Sequence, residues 1–170
     1  MVGIRQRSFR ATLHAQGEGV AGAIECSVGK GVAQDGWLVH RSQPDNPLVL
    51  CFDYVSDGPG RVHYHISAGP ATPGYAGARL GGSANGYLGL YQVAEASHFW
   101  KVQVTANLDA SGPLEFVLRD HRGHVVKSRP KRFSQGSFWT GATHLSPVRQ
   151  VDYLSVEAGT PLLFSATILD

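Results

Sequence analysis

The sequence predicts an all-β protein made of three repeats of about four strands each. With 21 Gly, 9 Pro and only 16% charged residues, the composition favours many short strands joined by tight turns. The pair Asn85-Gly86 lies between two apolar runs, and both residues accept the positive φ angles of a tight hairpin turn. Similar turns recur at equal spacing, at Gly36 and at Gly136, each before an apolar run.

The opening strand of each repeat is predicted from alternating apolar and polar residues. This alternation occupies residues 8–14, 61–67 and 113–119 and identifies an inward face. The chain of 170 residues is long enough to bury a core as one domain, with repeats at about 8–60, 61–112 and 113–170. The predicted inward residues are Phe9, Ala11, Leu13, Val62, Tyr64, Ile66, Leu114, Phe116 and Leu118.

The hairpins and the closing strands complete each repeat. An apolar residue stands two places after each turn glycine, so Leu38, Leu88 and Phe138 are predicted to form one core layer. Apolar closing strands are predicted at residues 47–52, 98–104 and 161–168. One further apolar segment, residues 148–154 within 141–159, corresponds to none of the predicted strands of the third repeat.

Three copies of a four-stranded unit with a hairpin such as ARLGGSANGYLGLY resemble the β-trefoil superfamily. That superfamily includes fibroblast growth factors, fascins, Kunitz-type inhibitors and ricin-type lectins. The resemblance implies a single domain whose three repeats pack about a common axis, because three units are too few to close a propeller. A two-sheet β-sandwich of the jelly-roll type is the alternative, since it accommodates strands of the same length.

The overall charge and the apolar runs argue against several classes of protein. With 15 Lys and Arg against 13 Asp and Glu, the net charge of +2 does not indicate a nucleic-acid partner. No run approaches the ~18 apolar residues of a membrane helix, and the basic N-terminus lacks the apolar core of a signal peptide. We therefore expect a cytoplasmic or non-classically released protein. Cys26 and Cys51 are either free thiols or one bridge.

Outward aromatic residues near the hairpin tips predict a glycan-binding module. If Leu88 and Leu90 face the core, then Tyr87 and Tyr91 face outward, and the same alternation places Trp37 and Trp139 outward. Aromatic rings stack against sugar faces while polar neighbours bind the hydroxyl groups, although such rings also serve plain strand packing. The predicted ligand-binding residues, in up to three shallow sites, are Trp37, Tyr87, Tyr91, Trp139, Asp35, Asn85 and Gln135.

A basic stretch at residues 119–132 predicts an anion-binding surface. It holds six of the fifteen basic residues, and Asp120 is its only acid. Trefoil growth factors carry a heparin-binding surface on their third repeat, so the resemblance implies a polyanion partner here. A solvated loop without a ligand is the alternative. The predicted anion-binding residues are Arg122, Lys127, Arg129, Lys131 and Arg132.

No motif in the sequence indicates catalysis. His63 and His65 point to the same side of a strand, as two metal ligands would, but no acidic residue follows them up to residue 74. We therefore expect no metal, no cofactor and no enzymatic activity. A metal-dependent enzyme is the weakest alternative. A protein-interaction or inhibitor domain, with loops 69–77 or 141–159 engaging a protein ligand, is the stronger one.

Overall fold

The computed structural model describes residues 7–27, 36–44, 46–92, 98–107, 114–134 and 148–169. These residues form an all-β structure in which the strands pair antiparallel, which confirms the predicted class. The strands are β1 Phe9–Gly17, β2 Val20–Cys26, β3 Leu38–Arg41, β4 Val49–Gly58, β5 Arg61–Ala68, β6 Arg79–Gly82, β7 Leu88–Tyr91, β8 Trp100–Asn107, β9 Leu114–Arg119, β10 Lys127–Ser134, β11 Val148–Ser155, β12 Thr160–Pro161 and β13 Leu163–Ile168.

Six of these strands pair in a closed ring. The order is β1, β4, β5, β8, β9, β13 and back to β1. The nine inward residues predicted on the opening strands β1, β5 and β9 are all buried, with at most 5% of each exposed, so that prediction is confirmed. At the centre the Phe52 ring stacks on Phe9 at 4.6 Å and meets Phe116 edge-on at 6.2 Å. The ring therefore encloses the apolar core that stabilises the fold.

Three hairpins continue from the ring: β2–β3, β6–β7 and β10–β11. The predicted hairpin at Asn85-Gly86 is present, because Ser83 N donates to Tyr87 O at 2.8 Å and Gly86 has a φ of 84°. One backbone bridge joins each hairpin to the next. In each bridge, the aromatic residue of one hairpin pairs with a residue of the next hairpin, two positions after that hairpin's own aromatic residue. The three bridges are Trp37 with Gly89, Tyr87 with Ser155 and Tyr153 with Val39.

The third hairpin differs from the prediction in its second arm. That arm is β11, the segment that the sequence pattern left without a place, and it pairs with β10 from Ser134↔Val148 to Lys127↔Ser155. Leu154 is accordingly the third member of the core layer with Leu38 and Leu88, each at most 1% exposed. Equal spacing instead indicated Phe138, which lies outside the described residues.

Two further properties of the described residues concern the cysteines and membrane-spanning helices. No disulfide joins Cys26 and Cys51; Cys26 is buried and Cys51 is half-buried. Among the residues with a described placement, there is no helix of the length and apolar character that crossing a bilayer requires.

Candidate binding cleft

A cleft of about 990 Å³ opens between the hairpin β6–β7 and the turn that follows β9. The hairpin forms one wall, the residues before β8 and the turn form the second, and residues at the ends of β10 and β11 form the third. Side chains of both charges and of aromatic character meet there. They include Tyr91, His98, His121, Arg122, Lys127 and Glu157.

The turn after β9 is organised by the buried carboxylate of Asp120. Its Oδ1 accepts hydrogen bonds from the backbone N–H of Arg122 at 3.0 Å and of His124 at 2.8 Å. Gly123 takes the sharp position of the turn, with a φ of 91°, and its N–H donates to Asp120 O at 2.9 Å. Because the Asp120 side chain holds the backbone of the turn, the backbone positions that carry the neighbouring histidine and arginine side chains are fixed.

Asp120 also orients the ring of His124. Its Oδ2 lies 3.1 Å from His124 Nδ1, and an ionised carboxylate can only accept, so Nδ1 carries the proton of this hydrogen bond. The other ring nitrogen, Nε2, remains for a further partner. His124 is exposed at the cleft while Asp120 is buried beneath it.

His98 and His121 stack face to face on the cleft wall. Their ring centroids are 3.9 Å apart and their planes differ by 8°. Burial lowers the pKa of His121 below its ordinary value, and the neighbouring charges of His98, Arg122 and Lys101 lower it further, whereas Asp120 raises it. His121 therefore favours the neutral form in the unliganded protein.

The aromatic side of the cleft is formed by Tyr91 and Trp100. Trp100 is buried, and its Nε1 donates to Leu80 O at 3.0 Å, which ties the start of β8 to the hairpin wall. Tyr91 is half-buried, and burial raises the pKa of its phenol. Its hydroxyl group thus remains a hydrogen-bond donor at neutral pH. Of the predicted aromatic ligand residues in the described ranges, Tyr91 is the one that lines the cleft.

Trp37 and Tyr87 form a separate cluster with Tyr153, which we call the aromatic cluster. The Tyr87 ring meets Trp37 edge-on at 6.1 Å and Tyr153 at 5.4 Å. The bridges between hairpins thus bring Trp37 and Tyr87, which the sequence analysis assigned to separate sites, into one cluster. Tyr153, rather than Trp139, takes the third position in the set of bridges. A Cβ atom on Gly89 would lie 3.1 Å from the Trp37 ring, so glycine leaves room for that ring.

Two of the five predicted anion-binding residues line the cleft and three do not. Arg122 and Lys127 line the cleft. Arg129 lies over the Tyr87 ring, 4.8 Å from its centroid, and donates from Nη1 to Asn85 O at 3.5 Å, so it belongs to the aromatic cluster. Lys131 and Arg132 are exposed farther along β10 and do not line the cleft. Lys127, Arg129 and Lys131 lie two residues apart on one side of β10, so the length of the strand, at 3.2–3.4 Å per residue, carries Arg129 and Lys131 away from the cleft.

The remaining predicted site residues have different outcomes. Asp35, Gln135 and Trp139 lie outside the described residues, and the backbone carbonyl of Asn85 is bound by Arg129. His63 stacks on Phe99 at 4.5 Å, and its Nδ1 lies 3.0 Å from Ser56 Oγ. No group of three His, Cys, Asp or Glu side chains in the described ranges is arranged to hold a metal ion.

Sequence reasoning missed His98 and Glu157 as cleft residues. The signal for His98 is the pairing of β8 with β9, in which Lys101 lies opposite Arg119. Continuing that antiparallel register beyond the strands brings the residues before β8 next to the turn after β9, where His121 lies. No local pattern marks Glu157, which packs over Gly86 so closely that a Cβ there would lie 2.5 Å from Glu157 Cγ.

Comparison with protein-family models, with curated proteins and with solved structures finds no match.

Proposed function

We propose that this chain is a noncatalytic glycan-binding module of the β-trefoil type, and that the cleft is its binding site. The observation that carries the proposal is the presence, in one concave surface of about 990 Å³, of the Tyr91 ring beside hydrogen-bonding side chains of both charges. A sugar has an apolar C–H face and a set of hydroxyl groups. The two kinds of side chain complement these two parts of the ligand.

The strand pairing supports the β-trefoil part of the proposal. In chain order, a ring strand, a hairpin and a second ring strand follow one another three times, with β12 as an additional short strand. A closed ring with three mutually bridged hairpins agrees better with three units around an axis than with two stacked sheets. The cleft then occupies the space between the second hairpin and the third unit.

A glycan array tests the proposal, with neutral, sulfated and sialylated sugars and the full chain. We expect at least one reproducible ligand, with affinity about tenfold lower in Tyr91→Ala, since aromatic contacts contribute about 0.5–1.5 kcal/mol beyond area burial. Tyr54→Ala is the matched control, because Tyr54 is also half-buried but does not line the cleft. Circular dichroism shows whether each variant keeps its fold.

Two results would overturn the proposal. An array without any ligand would remove glycan binding and favour a protein ligand. A ligand retained by Tyr91→Ala but lost by a folded Tyr87→Ala variant would move the site from the cleft to the aromatic cluster.

A further inference from the structure

The charge of the cleft depends on its histidines. The cleft lining holds two cations, Arg122 and Lys127, and two acids, Asp120 and Glu157, so the charges of these four groups balance. Asp120 is already engaged by two backbone N–H groups and by His124. Each histidine that takes up a proton therefore adds a positive charge that no remaining acid offsets. The cleft lining carries three histidines: His98, His121 and His124.

The stacked pair makes this charge sensitive to a ligand. Two imidazolium rings at a centroid distance of 3.9 Å repel each other, and Arg122 and Lys101 add to the positive potential around His121. Asp120 is the acid among the groups that act on His121. An anionic group in the cleft would supply the missing negative charge and favour protonation of His121.

We propose that the cleft binds an oxyanion group, a sulfate ester or a carboxylate on the ligand, through His98, His121, Arg122 and Lys127, and that this binding strengthens as the pH falls. That the oxyanion belongs to a glycan rests on the proposed function; the anion site itself does not. The residues are placed for it by the turn at Asp120, which presents His121 and Arg122 together at the cleft.

The direction of the pH effect follows from linkage. Because burial and the surrounding positive charge lower the pKa of His121 in the free protein, an anion that stabilises the charged ring raises that pKa and binds together with a proton. Affinity therefore increases as the pH falls from 7.5 to 5.5. Coupling to one proton changes the affinity by up to about tenfold for each pH unit.

The experiment is an NMR titration of the full chain with inorganic sulfate at pH 5.5 and at pH 7.5, at constant ionic strength. The histidine ring resonances report the site directly. We expect the resonances of His98 and His121 to shift on titration, with affinity about tenfold or more higher at pH 5.5. His121→Gln should remove most of the pH dependence, while His14→Gln, an exposed histidine on β1, should retain it.

A second pair of variants keeps the test valid if His121→Gln is destabilised. Arg122 and Arg132 are both exposed and both belong to the basic stretch, but only Arg122 lines the cleft. Arg122→Gln should weaken sulfate binding several-fold and Arg132→Gln should not. Sulfate affinity that is equal at the two pH values, or equal in these two variants, would overturn the inference.

The titration separates this inference from the proposed function. Sulfate binding as described, with an array that shows no glycan, would sustain the anion site and remove the glycan proposal. Neutral glycans bound in the cleft, with no sulfate binding, would sustain the glycan proposal and remove the anion site. Phosphate and acetate, titrated in the same way, distinguish a tetrahedral anion from a carboxylate.

Discussion

His40 and Ser128 are hydrogen-bonded to each other inside the protein. His40 Nε2 lies 2.6 Å from Ser128 Oγ, and both residues are buried although 88 positions separate them in the chain. The bond links β3 of the first hairpin to β10 of the third. His40 stands two places after Leu38 on its strand, so the alternation that turns Leu38 inward also turns this polar ring inward.

Ser128→Ala should destabilise the protein by about 1–3 kcal/mol, because it leaves a buried imidazole nitrogen without its partner. Urea unfolding measures the free energy. Ser42→Ala is the matched control, since Ser42 is exposed, and its effect should stay within about 0.5 kcal/mol. Equal stability of the two variants would show that the bond contributes nothing.

Stability should decrease as the pH falls below about 6.5, in part through His40. Burial lowers the pKa of His40 from its ordinary value of 6.5 and nearby His14 acts in the same direction, while Asp152 and the Ala21 backbone raise it. The unfolded chain then binds more protons than the folded one at acidic pH, so protonation favours unfolding. Melting temperatures between pH 7.5 and 5 test this, with His40→Gln expected to show a shallower decline. An identical slope in both proteins would contradict it.

Gly159→Ala should destabilise the protein by about 3 kcal/mol, through backbone strain and overlap with neighbouring backbone atoms. Gly159 has a φ of 130°, and an added Cβ would overlap Ser128 O and lie 2.7 Å from the Ser128 carbonyl carbon, so backbone would have to move. Gly60→Ala isolates the cost of the dihedral angle alone, because Gly60 has a φ of 68° with open space around its Cβ position. That variant should lose about 1–2 kcal/mol. Thermal and urea unfolding measure both variants, and equal losses of stability in Gly159→Ala and Gly60→Ala would contradict the prediction.

Trp37→Ala should destabilise the fold without weakening ligand binding in the cleft. The ring contacts Tyr87 and covers Gly89 at the bridge between two hairpins, so its removal exposes that junction. For a half-buried tryptophan we expect a loss of about 2 kcal/mol, less than for full burial. Trp37→Phe should recover part of the lost stability. Unfolding curves and the array together test this, and lost binding in a folded variant would contradict it.

The strands of the ring and the central hairpin were predictable from the sequence. Alternation at residues 8–14, 61–67 and 113–119 correctly identified the inward residues, because a strand turns successive side chains to opposite faces and only one face can meet the core. Asn85-Gly86 correctly marked its hairpin, since the positive φ at Gly86 is a local requirement. These features depend on neighbours in the chain and on burial alone.

The position of β11 was not predictable from the repeat. Equal spacing indicated Phe138, whereas the longer connection between β10 and β11 displaces the third arm to Leu154. The sequence also did not predict that the basic stretch is divided between the cleft and the aromatic cluster. Both outcomes depend on which strands pair and in what register.

The sequence by itself therefore determined the all-β class, the inward faces and the turn chemistry. Only the tertiary structure decided that Trp37 and Tyr87 meet, that His98 stacks on His121, and that Tyr91, Arg122 and Lys127 line one cleft. The physical reason is that side-chain patterning acts over a few residues. A site assembled from β7, the start of β8 and the turn after β9 forms only when strand pairing has brought those segments together.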